Sequence, residues 1–164
     1  MAGRIRGSRG ELARYVREHL RGREFQDLPR LVELGETAIP VLSDILIKDD
    51  APILRMRAAL VLGQIGTPEA AHILTIVAFD RIPEIRVAIA KALGEVGGSE
   101  AENTLMTLLR DEDASVRKWV IRSLARVGGP KALSVLHASL NSEREDFLRD
   151  EISKAVDMHS HSGA

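Results

Sequence analysis

A chain of 164 residues holds one domain or one short repeat array. It is 45% hydrophobic, 29% charged and only 3% aromatic, a balance of Ala, Leu, Val and Ile that suits closely packed helices rather than a β-sandwich. No cysteine is present, which excludes disulfides, thiol catalysis and thiolate metal sites, and the net charge is −1.

The elements in chain order begin with a helix over about Ser8 to Leu20 and a short one over about Asp27 to Leu34. From there glycine sets a register, because Gly35, Gly66, Gly97 and Gly128 stand 31 residues apart. Leu31, Leu62, Leu93 and Leu124 keep the same step, as do Leu34, Ile65, Val96 and Val127. Asp49, Asp80 and Asp111 form a further column, with Ser142 at the next position, and Arg55, Arg86 and Arg117 another. Each unit reads as two helices. In the third, Thr67-Pro68-Glu69 starts a helix with an N-cap hydroxyl, Pro in the first turn and an acid at the positive end of the dipole. Ala70, Ile73, Leu74 and Val77 follow at helical spacing, and Asp80 to Pro83 breaks the helix. Ile85, Ile89, Ala92, Leu93 and Val96 mark a second amphipathic helix, and Gly97 ends it in a conformation glycine takes without strain. The last helix carries Glu143, Glu145, Asp146, Asp150 and Glu151, as a polar cap requires.

Neither helix of a unit buries its apolar stripe alone, so the units must stack. The pattern predicts an all-α, right-handed α-solenoid of about five helical hairpins, roughly ten helices in all. The domain runs over 1–157, with 1–35 a degenerate N-terminal cap, 36–140 regular repeats and 141–157 a C-terminal cap. A disordered tail is expected over 158–164. The ends differ in charge: residues 1–30 carry eight Arg against four acids, residues 141–164 six acids against three bases. These are either solvated helix surfaces or, at the N-terminus, a basic contact surface. Apolar runs are short, as at Ala58 to Leu62, and Arg4, Arg6 and Arg9 precede no apolar stretch. The expectation is therefore no membrane span, no secretory signal and a cytoplasmic location.

The second helices read LRMRAALVLGQIG over 54–66, IRVAIAKALGEVG over 85–97 and VRKWVIRSLARVG over 116–128. They resemble the HEAT-like repeats of the phycobilisome-lyase type, whose second helix has the pattern V-R-x-A-A-A-x-A-L-G-x-I-G. The resemblance covers about 35–140 and carries fold more than function, since such repeats serve adaptors and enzyme subunits alike. It implies that Asp49, Asp80 and Asp111 with Arg55, Arg86 and Arg117 form a structural ladder between units, ending at Ser142 and Leu148. It also implies that the second helices line a concave groove.

The stripe left variable by that pattern is Met56, Leu60 and Gln64 in unit two, Val87, Lys91 and Glu95 in unit three, and Lys118, Arg122 and Arg126 in unit four. Phe25, Pro29 and Glu33 are its equivalents in unit one, and Arg149, Ser153 and Asp157 in unit five. The stripe passes from apolar to basic. Trp119 stands beside the basic end where the pattern has Ala, as does Arg57 in the same column, and a large aromatic there is either core filling or a binding anchor. The expected role is a non-enzymatic scaffold whose groove binds a segment of another protein, apolar toward one end and acidic toward the other.

No cofactor, metal or catalytic residue is expected. A di-iron hydroxylase of this repeat type presents His-Glu pairs, whereas this chain has only the reversed Glu18-His19, and His72 and His137 fall at unrelated columns. His159 and His161 in the tail are weak ligand candidates. The Gly97-Gly98 and Gly128-Gly129 pairs read as helix caps rather than phosphate loops. The alternative, implied by the resemblance, is a subunit of a bilin lyase or a related chaperone-like enzyme, acting in a pair. Nucleic-acid binding is a further alternative, suggested by Trp119 among Lys118, Arg122 and Arg126 and opposed by the net charge and the apolar half of the groove.

Overall fold

The structure, a computed structural model, describes residues 8–22, 27–127 and 129–160; Phe25, Gly128 and residues 161–164 lie outside the described part. Every regular element among the described residues is helical. The order is α1 (Arg9–Arg21), α2 (Leu28–Val32), a short 3-10 helix (Gly35–Ala38), α3 (Ile39–Lys48), α4 (Pro52–Ile65), α5 (Pro68–Ile76), α6 (Pro83–Val96), α7 (Gly98–Leu108), α8 (Ala114–Val127), α9 (Pro130–Ser139) and α10 (Asp146–Ser160).

Local chemistry accounts for the boundaries. Proline sits in the first turn of α2, α3, α4, α5, α6 and α9, where its missing N–H costs nothing. The Thr67 hydroxyl accepts from the Ala70 N–H at 3.2 Å and caps α5. Gly66 closes α4 at φ 71°, ψ 18°, donating its N–H to the Leu62 carbonyl. At the other end of the chain the helix differs from expectation. α10 runs through 158–160, so the disordered tail does not begin at 158. No Gly or Pro interrupts the chain between Asp146 and Ser160, and Met158 lies against α8 rather than in solvent alone.

The helices pair as hairpins and stack in two layers, α1, α3, α5, α7 and α9 in one and α2, α4, α6, α8 and α10 in the other. The most extensive packing is α4 on α6 and α6 on α8. Small residues make it possible: a Cβ on Gly63 would lie 2.6 Å from the Ala92 Cα, and one on Gly94 2.7 Å from the Ser123 Cβ. The core between the layers is the leucine column, Leu31, Leu62, Leu93 and Leu124, each at 0% exposure. The layer of α4, α6 and α8 is the more closely packed of the two, and it is the inner layer that the resemblance expects to line a groove.

Register changes once. The Ala101 to Ala132 and Leu105 to Leu136 steps are 31 residues, and all four are buried. Beyond α9 the buried Leu148 and Ile152 follow Val116 and Val120 by 32. One residue has been added in the turn after Ser139, and it shifts every later column.

Candidate partner-binding face

The ladder along one edge of the stack fixes how neighbouring hairpins sit. Arg86 donates from Nε and Nη2 to both Asp111 carboxylate oxygens, at 2.7 and 2.8 Å, and from Nη1 to the Asp80 carbonyl at 2.9 Å. Arg55 pairs with Asp80 and donates to the Leu46 carbonyl at 2.7 Å. Each arginine thus ties its own turn to the acid of the next unit. Each acid in turn accepts a backbone N–H two residues on, from Ala51, Ile82 and Asp113, at 3.0, 2.9 and 2.9 Å. The Ala51 N–H, helped by Arg17, holds the Asp49 carboxyl below the usual carboxylate range.

The ladder does not stop at Ser142 and Leu148. With the added residue counted, Glu143 and Arg149 occupy the acid and arginine places. Arg117 donates to both Glu143 oxygens, at 2.9 and 3.0 Å, and to the Asp111 carbonyl at 2.9 Å. Arg149 donates to the Glu143 carbonyl at 2.8 Å, as Arg117 does to Asp111. Burial pushes the Glu143 carboxyl up, but the hydrogen bonds from Arg117 and from backbone N–H groups outweigh it, so the net shift is down. At the other end Arg17, on α1, supplies the partner of Asp49.

The sequence-derived stripe lies on successive helices of the inner layer, α4, α6 and α8. Met56 and Leu60 are half-buried and pack on the core, and Gln64 is exposed. Val87 and Lys91 on α6 are half-buried and Glu95 is exposed; Lys118 and Trp119 on α8 are half-buried, and Arg122 and Arg126 are exposed. Trp119 packs partly on the core, with Lys91 Nζ 3.7 Å and Arg122 Cζ 5.1 Å from its ring centroid. It is therefore both core filling and a surface for two cations.

The basic end is partly neutralised by contacts that sequence columns did not show. Arg122 donates to Glu151 at 2.5 Å, and Arg126 pairs with Glu95. The Arg122 hydrogen bond holds the Glu151 carboxyl below its usual range. Lys91 has no ion-pair partner among the described residues, and its pKa is pushed down by burial and then by the neighbouring Arg122 charge. With the register slip, the unit-five stripe is Asp150, Lys154 and Met158 rather than Arg149, Ser153 and Asp157. Lys154 and Met158 line a cavity against α8, and Arg149 belongs to the ladder. In unit one, Pro29 and Glu33 are exposed.

Arg57 has a different task from Trp119, despite the shared column. It is 9% exposed, and its guanidinium donates to the carbonyls of Leu20, at 2.6 Å, and Gly22, satisfying the C-terminal end of α1. The three histidines whose side chains are described stay apart: His19 Nδ1 lies 2.8 Å from the Tyr15 carbonyl, His72 pairs with Glu100 at 2.9 Å, and His137 is exposed. Among the described residues no three His, Cys, Asp or Glu side chains gather to hold a metal, and no helix is long and apolar enough to cross a membrane.

Residues 76–156 match the family of HEAT repeats, and residues 54–80 match the PBS lyase HEAT-like repeat. The chain belongs to the HEAT-like repeat family. No curated protein matches it by sequence. Among solved structures it is similar to a chain from the complex of CpcE and CpcF of phycocyanin lyase from Nostoc sp. PCC7120, with TM-score 0.75 and 23% identity, over 89% of this chain and 98% of that one. It is also similar to human deoxyhypusine hydroxylase, with TM-score 0.66 and 20% identity, over 92% of this chain and 63% of that one. An engineered protein matches with TM-score 0.57 and 22% identity, over 93% of this chain and 44% of that one.

These findings correct one expectation. Without a catalytic constellation, the sequence alone implies no enzymatic role. A HEAT-like solenoid of this chain's extent is, however, part of a two-protein lyase complex. Lack of a nucleophile and base within one solenoid therefore does not separate scaffold from enzyme subunit, and a plain exclusion of enzymatic function falls.

Proposed function

We propose that this HEAT-like chain is a partner-binding subunit of an enzyme complex of the bilin-lyase or chaperone-like type, and that the inner layer is its contact face. The observation that carries the reading is the full-length likeness to a chain of a two-protein phycocyanin lyase complex. The ladder supports it physically, because bidentate Arg–carboxylate pairs hold successive hairpins in fixed register and so present one preorganised face.

The partner chemistry follows from what the face leaves available. Met56, Leu60 and Val87 offer apolar surface toward α4 and α6. Arg122 and Arg126 already have Glu151 and Glu95 as partners, and Lys91 and Lys118 are cations with no ion pair among the described residues, so they are the first offered to an acidic group. A partner segment with apolar side chains toward α4 and acidic ones toward α8 fits that order.

The test is native affinity purification of the tagged chain, followed by the same purification of a Lys91→Glu, Lys118→Glu variant. The expected result is one stoichiometric partner protein, lost in the variant while the melting temperature stays unchanged. Mixing the recovered pair with phycocyanobilin and an apo-phycobiliprotein then reads chromophore attachment by visible absorption. A partner held equally by both forms would remove the inner layer as the contact face.

A further inference from the structure

A cavity of about 260 Å³ opens between α8 and α10. Its floor is apolar, made by the buried Ile121, Ala125 and Ala155, with the exposed Met158 at its edge. Its rim carries Arg122, Arg126 and Lys154, of which Arg122 faces Glu151 and Arg126 faces Glu95, so the rim keeps a net positive charge through Lys154. Beside it lies the Lys91–Trp119 stack, and Arg122 belongs to both features, since it lines the cavity and also stands over the indole. Lys154, like Lys91, has no ion-pair partner among the described residues.

Three considerations point to one class of occupant. An apolar floor beneath a cationic rim suits an anion that carries hydrocarbon. Burial disfavours the charge on Lys91, and Arg122, though paired with Glu151, repels it as well. A carboxylate placed between them relieves both effects. The volume lies just below the range of roughly 300–1,000 Å³ typical of drug-sized ligands, so it admits one short chain and no helix. We propose that this cavity and the adjoining Lys91–Trp119–Arg122 cluster form a binding site for a small amphipathic carboxylic acid, with hydrocarbon on the α8–α10 floor and the carboxylate between Lys91 and Arg122. The proposal rests on the inner layer being the functional face, and it does not depend on which protein partner binds there.

Trp119 is the single tryptophan of the chain, so its fluorescence reports this place alone. The experiment titrates the full chain with octanoate, with acetate and octylammonium as controls, by fluorescence and by calorimetry. Saturable octanoate binding is expected, with acetate and octylammonium far weaker. Lys91→Met combined with Lys154→Met should weaken octanoate about ten- to a hundredfold, the loss expected when charged hydrogen-bond partners are removed. Lys91→Arg should retain it. Ala125→Phe, which fills the floor without altering charge, should weaken it as well, with melting curves showing that each variant folds. No saturable octanoate signal, equal binding of octylammonium, or unchanged affinity in the double methionine variant would each overturn the site. If octanoate fails while the co-purifying protein still binds and depends on Lys91, the small-acid site is wrong and the protein-contact reading stands. If octanoate binds as expected while no protein depends on Lys91, the reverse holds.

Discussion

Replacing Asp111 with Ala removes the acid that receives two donors from Arg86, and the structure sets the size of the loss. The two side chains are 8% and 7% exposed, so Arg86 would keep a charge in a nearly dry place. Breaking a buried pair from one side costs about 3–5 kcal/mol. Arg86 keeps its bond to the Asp80 carbonyl, and the exposed Glu112, 3.7 Å away, stands ready to approach. The lower end, about 3 kcal/mol, is therefore expected. For a chain of this size each kcal/mol moves the melting temperature by about 2–4 °C, so Asp111→Ala should lower it by roughly 6–12 °C. Thermal and urea melts followed by circular dichroism measure this. Hydrogen exchange on α6 and α8 shows whether the array opens locally at the broken rung, as repeat stacks do. Arg122→Met is the control: its pair with Glu151 is more exposed, at 43% and 24%, and should cost under about 1 kcal/mol. Pairing Arg86→Met with Asp111→Leu should recover much of the loss, since neither charge is left buried. If Asp111→Ala costs no more than Arg122→Met, the ladder does not hold the hairpins together.

Further expectations follow from the same structure. Arg57→Met leaves the Leu20 and Gly22 carbonyls without their donor and should cost about 1.5–3 kcal/mol, seen as faster hydrogen exchange in α1 with α8 unchanged. Gly63→Ala places a methyl 2.6 Å from the Ala92 Cα, a backbone atom that cannot rotate away, so destabilisation of about 1–3 kcal/mol should appear in urea melts. Asp49, Glu143 and Glu151 have carboxyls lowered by folding from ordinary values of 3.8, 4.5 and 4.5. The stability they contribute is present above those values and is lost as pH falls through the lower folded ones. Melting temperature should therefore be flat near neutrality and begin to fall at about pH 4.5, less steeply in Glu143→Gln.

The repeat was legible because its signals are strictly periodic. Leu31, Leu62, Leu93 and Leu124 had to share one environment, and all four are fully buried. Gly66 had to end α4, and it does so with positive φ. What escaped were features that depend on a single inserted residue or on contacts between units. A 31-residue step projected onto unit five pointed to Ser142, Arg149 and Asp157. The extra residue after Ser139 moves those columns to Glu143, Asp150 and Met158, and the spacing of buried residues at Leu148 and Ile152 was the signal that could have revealed it. Arg57 and Trp119 share a column yet serve different ends, since one faces the open carbonyls of α1 and the other lies beneath Lys91. The stripe was read as fully basic at α8 because charge was counted along one helix. Glu95 and Glu151 approach from neighbouring helices, and only three-dimensional packing brings them to Arg126 and Arg122.

The inner layer of this HEAT-like stack is the proposed seat of a partner protein. Site-specific photo-crosslinking tests it most directly, with a photoreactive residue placed at Val87 on α6 or at the exposed His72 on α5, in the full chain expressed in its source cells. A discrete crosslinked partner is expected from Val87, the same one that co-purifies natively, and none from His72. Crosslinking of that partner from His72 with none from Val87 would contradict that placement.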